Sequence, residues 1–365
     1  MFKSNRLKKK KPNGFIQTLN AFLSLIIVGM VIIVALVYFG LTGFNKAGQV
    51  SQETVFVVPE GAGLNSIATK LEKEGLIDNQ YVFRFGAVAN DMGDGIKRGE
   101  YLLPADASMR SILDTLVDGR PIQYNVTIPE GFTSWQIAER LRGAEHLTGD
   151  LDGIPAEGTL LPNTYSFERG SKRADILTQM QEAHASAVDE IWAGRAGELP
   201  ITTKEEFVIL ASVVEKETGV ATERPEVAAV FVNRLNNGMR LQSDPTIIYG
   251  ITKGQGKLGR GLRRSEIDKK TEYNTYQIDG LPIGPISNPG LDSLKAVANP
   301  AVTDALYFVA DGTGGHAFAA TYKQHQKNVA AWRKIEKDRQ EAADAEAEAA
   351  KDALEAQQDA SQQNN

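Results

Sequence analysis

The stretches Val55-Phe56-Val57-Val58-Pro59-Glu60-Gly61 and Tyr124-Asn125-Val126-Thr127-Ile128-Pro129-Glu130-Gly131 are two versions of one pattern. Ile67-Ala68 and Leu71 follow the first, Ile137-Ala138 and Leu141 follow the second, and every matched position is offset by 70 residues. In each copy an apolar or alternating run predicts a strand, Pro-Glu-Gly predicts a turn, and the spacing beyond it predicts an amphipathic helix. Thr133 stands where the second helix needs an N-cap, and Asn65 is the candidate for the first. Between the copies, residues 80–90 and 108–117 carry helical patterns, and Tyr101-Leu102-Leu103 reads as a strand. A mixed α/β region is therefore expected here.

On the N-terminal side, residues 1–14 hold Lys3, Arg6, Lys8, Lys9, Lys10 and Lys11 and no acid, and residues 21–41 run without a charge. At 1.5 Å per residue the uncharged run covers about 30 Å, the hydrocarbon thickness of a bilayer. A cleaved signal peptide would have a shorter apolar region and a small-x-small site. No such site follows Leu41, so residues 15–41 are expected to form an uncleaved transmembrane helix. The basic cluster predicts a cytoplasmic N-terminus. Everything after about residue 45 then lies outside the inner membrane, where there is no supply of ATP or NAD and the abundant polymer is peptidoglycan. The chain of 365 residues has room for this anchor and two or three modest domains. Its net charge of −6, with no basic stripe outside the N-terminus, argues against nucleic acid as the main partner. With no cysteine, thiolate metal sites, cysteine nucleophiles and disulfides are excluded.

On the C-terminal side, residues 150–170 are rich in loop formers. Helices are expected over about 173–193, 204–216, 225–235 and 292–298. Residues 236–290 read as ordered loops over a cleft. Leu306-Tyr307-Phe308-Val309-Ala310, a glycine-rich turn and residues 316–319 read as a β-hairpin, and Thr321 is the candidate cap of a last helix. After Trp332 an Ala/Glu/Lys/Gln run predicts a frayed helix or disordered tail.

The chemistry points to one helix, which contains Leu210-Ala211-Ser212-Val213-Val214-Glu215-Lys216-Glu217-Thr218-Gly219. Thr203 and Glu206 form a capping-box start and Gly219 is a natural stop. Phe207, Leu210 and Val214 share a core face. Val208, Ala211, Ser212 and Glu215 form a stripe of mostly small residues that could floor a pocket. A carboxylate in the last turn meets the negative end of the helix dipole, and partial burial also disfavours its charge. Both effects favour the protonated form a general acid needs, although position alone leaves Glu215 open to being a solvated surface glutamate. Glu217 lies about 200° around the helix and cannot face the same substrate.

These residues resemble the active-site motif of the endolytic murein transglycosylases (the MltG/YceG-like family). Further segments agree in order: Val232-Asn233-Arg234-Leu235, then Met239-Arg240-Leu241-Gln242-Ser243-Asp244-Pro245-Thr246-Ile247-Ile248-Tyr249-Gly250, Tyr273-Asn274-Thr275-Tyr276, Gly280-Leu281-Pro282, Asn288-Pro289-Gly290 and residues 307–318. The resemblance spans roughly residues 20–335. It implies a lyase with one essential glutamate, matching Glu215, that protonates the MurNAc–GlcNAc bond and then deprotonates the MurNAc 6-hydroxyl to leave a 1,6-anhydro end. One carboxylate suffices because the nucleophile belongs to the substrate, whereas an ordinary glycosidase needs a second. The chain departs from the family at Ile283 in Leu281-Pro282-Ile283-Gly284 and at Asn163 in Pro162-Asn163-Thr164-Tyr165.

The fold expected is α+β: a cytoplasmic basic segment over 1–14, a single transmembrane helix over 15–41, a LysM-like region over 50–125, a mixed α+β catalytic domain over 126–335 and a charged tail over 336–365. The repeat region resembles LysM-like modules, which implies glycan binding, and a plain spacer is the alternative. Gln242, Ser243 and Asp244 are candidates for sugar contacts, or form a turn with Asp244 as N-cap before Pro245. Tyr249, Asn274 and Tyr276 either line the cleft or are half-buried structure. His316 is a cleft ligand or a turn residue. His146, His184 and His325 show no metal spacing, and no metal or cofactor is expected. Implied partners are nascent peptidoglycan strands and the synthases that make them. Two rivals remain: a hydrolase using Glu223, Asp244 or Glu157 as second carboxylate, and a non-catalytic glycan-binding scaffold.

Overall fold

The computed structural model describes residues 14–48 and 50–363, so the basic cluster before residue 14 lies outside the described residues. The chain divides into two compact units, one running to Tyr124 and including Glu168–Gly170, the other formed by Asn125–Phe167 and the chain from Ser171.

The first unit begins with α1 (Gly14–Asn45), a single helix of 32 residues. Its residues Phe15–Asn45 are long and apolar enough to cross a membrane. Near its C-terminal end Phe44, 2% exposed, joins the core of this unit. A Cβ on Gly86 would stand 2.3 Å from the Phe44 ring, so only glycine admits it there. The elements that follow are β1 (Thr54–Val58), α2 (Leu64–Lys73), α3 (Gln80–Ala89), β2 (Gly99–Leu103) and α4 (Met109–Asp118). β1 pairs antiparallel with β2, setting Phe56 opposite Tyr101. Both are fully buried, with Ile67, Leu71, Phe83, Ile112 and Leu116 packed around them. Each such side chain contributes about 1.5–3 kcal/mol of burial, which explains the period-two pattern of β1 and the stripes on its helices. Asn65 does not cap α2: the cap position is Gly63, and Asn65 lies in the first turn.

The second unit contains most of β3 (Gln123–Thr127), then α5 (Ser134–Arg142), β4 (Thr164–Glu168), α6 (Arg173–Ala193) and α7 (Lys204–Glu217). A short 3-10 turn, Ala221–Glu223, leads into α8 (Arg224–Asn236). Then come α9 (Asp244–Thr252), α10 (Arg264–Ile267), α11 (Leu291–Ala298), β5 (Tyr307–Ala310), β6 (His316–Ala319) and α12 (Tyr322–Gln363). Thr133 caps α5 in a full capping box with Gln136, and Thr203 caps α7 with Glu206.

Three further expectations need correction. The loop-rich stretch 150–170 contains β4, paired with β3, in which Tyr165 and Phe167 point inward. α7 ends at Thr218, which turns extended (φ −138°, ψ 134°), so Gly219 is not the stop. α9 forms inside the expected loop region with Ser243 at the cap position, so Asp244 is its first helical residue rather than its cap. Of the two forms expected for the tail beyond Trp332, the structure shows the helical one, as a continuation of α12, 42 residues long in all.

α7 is buried on every face from Phe207 to Glu215. It is enclosed by α8, α11 and α6, with Phe207, Leu210, Val213, Val214, Val227, Phe231, Leu294 and Val297 in one core. A helix apolar all round is stable only when so enclosed. Ala211 and Ser212 floor no pocket, because the segment at Ile286 and Ser287 lies on them. The Ser212 hydroxyl accepts the Ile286 N–H at 3.0 Å, and the Ser287 hydroxyl donates to the Ser212 carbonyl at 3.3 Å.

Candidate active site

Glu215 projects from the last turn of α7 with its side chain only 4% exposed. Three segments converge on it. The Gly290 N–H, at the cap position of α11, donates to Glu215 Oε2 at 2.9 Å. Arg224, the first residue of α8, donates from Nη2 to Glu215 Oε1 at 3.1 Å. Gly131, from the second Pro-Glu-Gly turn, lies so close that a Cβ would stand 3.4 Å from Glu215 Cγ. Gly131 holds φ at 72°, a left-handed value that glycine adopts without strain. The sequence had suggested a carboxylate whose surroundings disfavour charge. The structure places the Arg224 guanidinium and the N-terminus of α11 against its two oxygens.

Arg224 is a shared hub. The same Nη2 donates to Glu130 Oε2 at 2.9 Å, and Nη1 lies 3.5 Å from Asp292 Oδ2. The arginine side chain is 7% exposed, while those of Glu130 and Asp292 are 40% and 56% exposed. One buried cation thus faces one buried and two solvated carboxylates, and Arg224 Nε, also buried, has no hydrogen-bond partner among the described residues.

Asn288 holds this arrangement together. Fully buried, it accepts the Leu160 N–H at 2.9 Å and donates to Phe132 O, the Ser134 hydroxyl and Glu157 Oε1. Its backbone closes on the turn from both sides, accepting from Gly131 N at 3.2 Å and donating to Phe132 O at 2.9 Å. That docking aims Gly290 at Glu215. It also brings Gly290 onto Glu130: a Cβ there would lie 2.0 Å from Glu130 Oε1. Beside this cluster opens a cleft of about 550 Å³, lined by Glu130, Gly131, Thr133, Lys216, Tyr249 and Lys257 among others, a size suited to a small-molecule or sugar ligand.

The other expected contact residues do not hydrogen-bond Glu215. Gln242 is exposed in a left-handed conformation (φ 52°). The Ser243 N–H donates to Thr275 Oγ1 at 2.9 Å. The Tyr276 hydroxyl donates to Asp244 Oδ1 at 2.8 Å, and the Tyr249 hydroxyl to Glu157 Oε2 at 3.0 Å. Asn274 is buried and clamps its own loop, donating to the carbonyls of Glu266, Ile267 and Lys269, which leaves it no face for a substrate. His316 is held by Glu223, through Nδ1 at 2.9 Å and its backbone N–H at 2.8 Å. Burial works to raise the Glu223 carboxyl, but these bonds hold it below its ordinary value. Glu217 points away from Glu215, toward Ser243 and Asp244. Burial pushes its carboxyl up to about 7, with Asp244 adding to the rise and the Ser243 hydroxyl, His316 and Arg234 opposing it.

None of Glu223, Asp244 and Glu157 hydrogen-bonds Glu215 or ion-pairs with Arg224. The carboxylate that shares Arg224 Nη2 with Glu215 is Glu130, which the sequence offered only as the middle of a repeated turn. Arg224 carried no signal of its own. Asn288 and Gly290 were visible only as part of a shared segment.

Residues 56–331 match the model of the YceG-like family. The chain is 32% identical over 321 residues to the endolytic murein transglycosylase of Streptococcus pneumoniae serotype 2 (strain D39), covering 75% of this chain and 57% of that one. It therefore spans little more than half the length of its streptococcal relatives. It is 28% identical over 310 residues to the endolytic murein transglycosylase of Bacillus subtilis (strain 168), covering 76% of this chain and 84% of that one. A crystal structure of a yceG-like protein from Listeria monocytogenes matches with 27% identity and a TM-score of 0.47, covering 76% of this chain and 98% of that one.

Proposed function

The chain belongs to the YceG-like family, and from that membership we propose that it is a membrane-anchored peptidoglycan lytic endotransglycosylase with Glu215 as its acid/base. The observation that carries this reading is a single buried carboxylate, fixed at both oxygens, beside an open cleft. The relatives bear the name endolytic murein transglycosylase, and the substrate is read across from them.

In the proposed cycle Glu215 enters protonated. Its proton passes to the glycosidic oxygen as the bond from MurNAc C1 to that oxygen breaks, releasing the GlcNAc hydroxyl. The Glu215 carboxylate then takes the proton of the MurNAc 6-hydroxyl as that oxygen bonds to C1. A 1,6-anhydro end forms, no water is consumed, and Glu215 is again protonated. Arg224 suits both halves of the cycle. It stabilises the carboxylate after the first transfer, and when Glu215 is neutral it keeps Glu130 and Asp292 as partners.

The biological setting belongs to the same proposal. α1 anchors the chain in the inner membrane with the N-terminus cytoplasmic, and the LysM-like region before residue 125 holds glycan near the catalytic domain. The enzyme then cuts nascent strands beside their synthases and limits their length. Gln242, Ser243, Asp244, Tyr249, Tyr276 and His316 are proposed to shape the wall beyond Glu215.

A second reading has one observation in its favour. Glu130 shares a guanidinium nitrogen with Glu215, so a second carboxylate is at hand to hold a water, as a hydrolytic muramidase requires. Mass spectrometry of the products from purified glycan strands separates the two. The proposal expects fragments lighter by one water than hydrolysis products, and reducing ends would overturn it in favour of the hydrolase.

A further inference from the structure

The expectation of no basic stripe outside the N-terminus fails at residues 253–270, which hold seven basic and two acidic residues in a chain of net charge −6. The two acids are already committed. Glu266 takes both Nη atoms of Arg260, at 2.6 and 2.9 Å, and Asp268 takes Arg264 Nε at 2.8 Å. Lys253, Lys257, Arg263, Lys269 and Lys270 are exposed, and none has a carboxylate within ion-pair distance among the described residues.

One of these five, Lys257, lines the cleft itself, and the segment that carries the others forms part of its wall from Gly254 to Arg260. The pinned Arg260 lines it too, as does Lys216, the residue that follows Glu215. Lys253 lies 5.1 Å over the Tyr273 ring, which packs at 5.0 Å on Tyr249 of the cleft wall. The one acid lining the cleft is Glu130, which Arg224 already engages. Uncharged sugar would leave this field unused. Like charges gathered at a cleft repel one another and destabilise the fold, but they raise the local concentration of an anionic ligand.

We propose that the 253–270 segment, with Lys216, is a subsite for the carboxylates of the peptide stems that branch from MurNAc, so that the enzyme selects strands still bearing their peptides. The inference rests on the reading of the chain as a peptidoglycan-cleaving enzyme and deepens it. Exposed lysines and arginines suit a branch that must be held loosely and released, because charge-assisted contacts there are salt-sensitive and steer encounter more than they fix it.

The test compares two probes with the full chain in detergent: purified strands with their stems, and the same strands stripped of peptide by an amidase. The ratio of kcat/KM between them is measured at low and physiological salt for wild type and for Lys257→Glu/Arg263→Glu. Affinities of the Glu215→Gln protein for both probes are measured in parallel. The subsite predicts a preference for peptide-bearing strands that weakens with salt and falls about tenfold in the double reversal. A ratio near one, or a preference insensitive to salt and to the reversals, overturns it. If neither strand is cut, the reading of the activity has failed, and the two affinities still decide the subsite. A chain reconstituted in anionic bilayers, whose reversals slow both strands equally there and nowhere else, would assign the charge to the membrane surface and sink the proposal.

Discussion

Replacing Arg224 with Met removes the cation that joins three carboxylates and leaves Glu215, 4% exposed, without its ionic partner. Glu130 and Asp292 are solvated enough to lose little. Most of the cost falls on Glu215, and breaking a buried pair by removing one partner costs about 3–5 kcal/mol. The surviving Gly290 N–H bond brings the expected loss to about 3 kcal/mol at neutral pH. Removing the orphaned carboxylate as well should reverse most of the loss: Arg224→Met/Glu215→Gln is expected to recover about 2 kcal/mol. Urea denaturation followed by tryptophan fluorescence suits this cycle, because Trp135, Trp192 and Trp332 all lie in the second unit. Equal losses for Arg224→Met with and without Glu215→Gln would show the two side chains to be uncoupled and would refute the reasoning.

Three further outcomes follow from the same contacts. Glu217 binds its proton more tightly in the folded chain, so its contribution favours folding below about pH 4.5 and is lost as pH rises through about 7. With solvent reaching part of the side chain, Glu217→Gln should gain about 1–2 kcal/mol over wild type at pH 8 and little at pH 4, and melting curves at the two pH values would show it. Gly290→Ala keeps an allowed backbone but drives a methyl into Glu130; it should cost about 1–2 kcal/mol and slow cleavage, with Glu130→Ala in the same chain restoring stability. Asn288→Ala orphans buried groups on both sides of the turn and should lower stability by about 2–4 kcal/mol in urea titrations.

The repeated Pro-Glu-Gly turns and the anchor-length helix were legible because each rests on local chemistry: glycine at positive φ, uncharged length, periodic apolar faces. The capping boxes at Thr133 and Thr203 were legible for the same reason. β4 was not, since five residues of alternation behind Pro162 and Asn163 look like loop until a partner strand covers Tyr165 and Phe167. Asn65 failed as a cap because the turn geometry, not the nearest polar side chain, fixed where α2 begins. Glu215 stood out through its motif alone. Its environment did not, because Arg224, Gly290 and Glu130 reach it from 9, 75 and 85 residues away in sequence, and the packing of α7 against α8 and α11 is what brings them together.

The central claim is that Glu215 performs the cleavage, and the most direct measurement is strand cutting by Glu215→Gln. The amide keeps the size of the side chain but has one acceptor for the two donors Arg224 and Gly290 N–H, so a cooperative melting curve is needed first to show that the variant is folded. The account predicts no cleavage of purified glycan strands beyond background by this folded protein. Cleavage by folded Glu215→Gln at more than a few per cent of the wild-type rate would contradict it and move the chemistry to another residue.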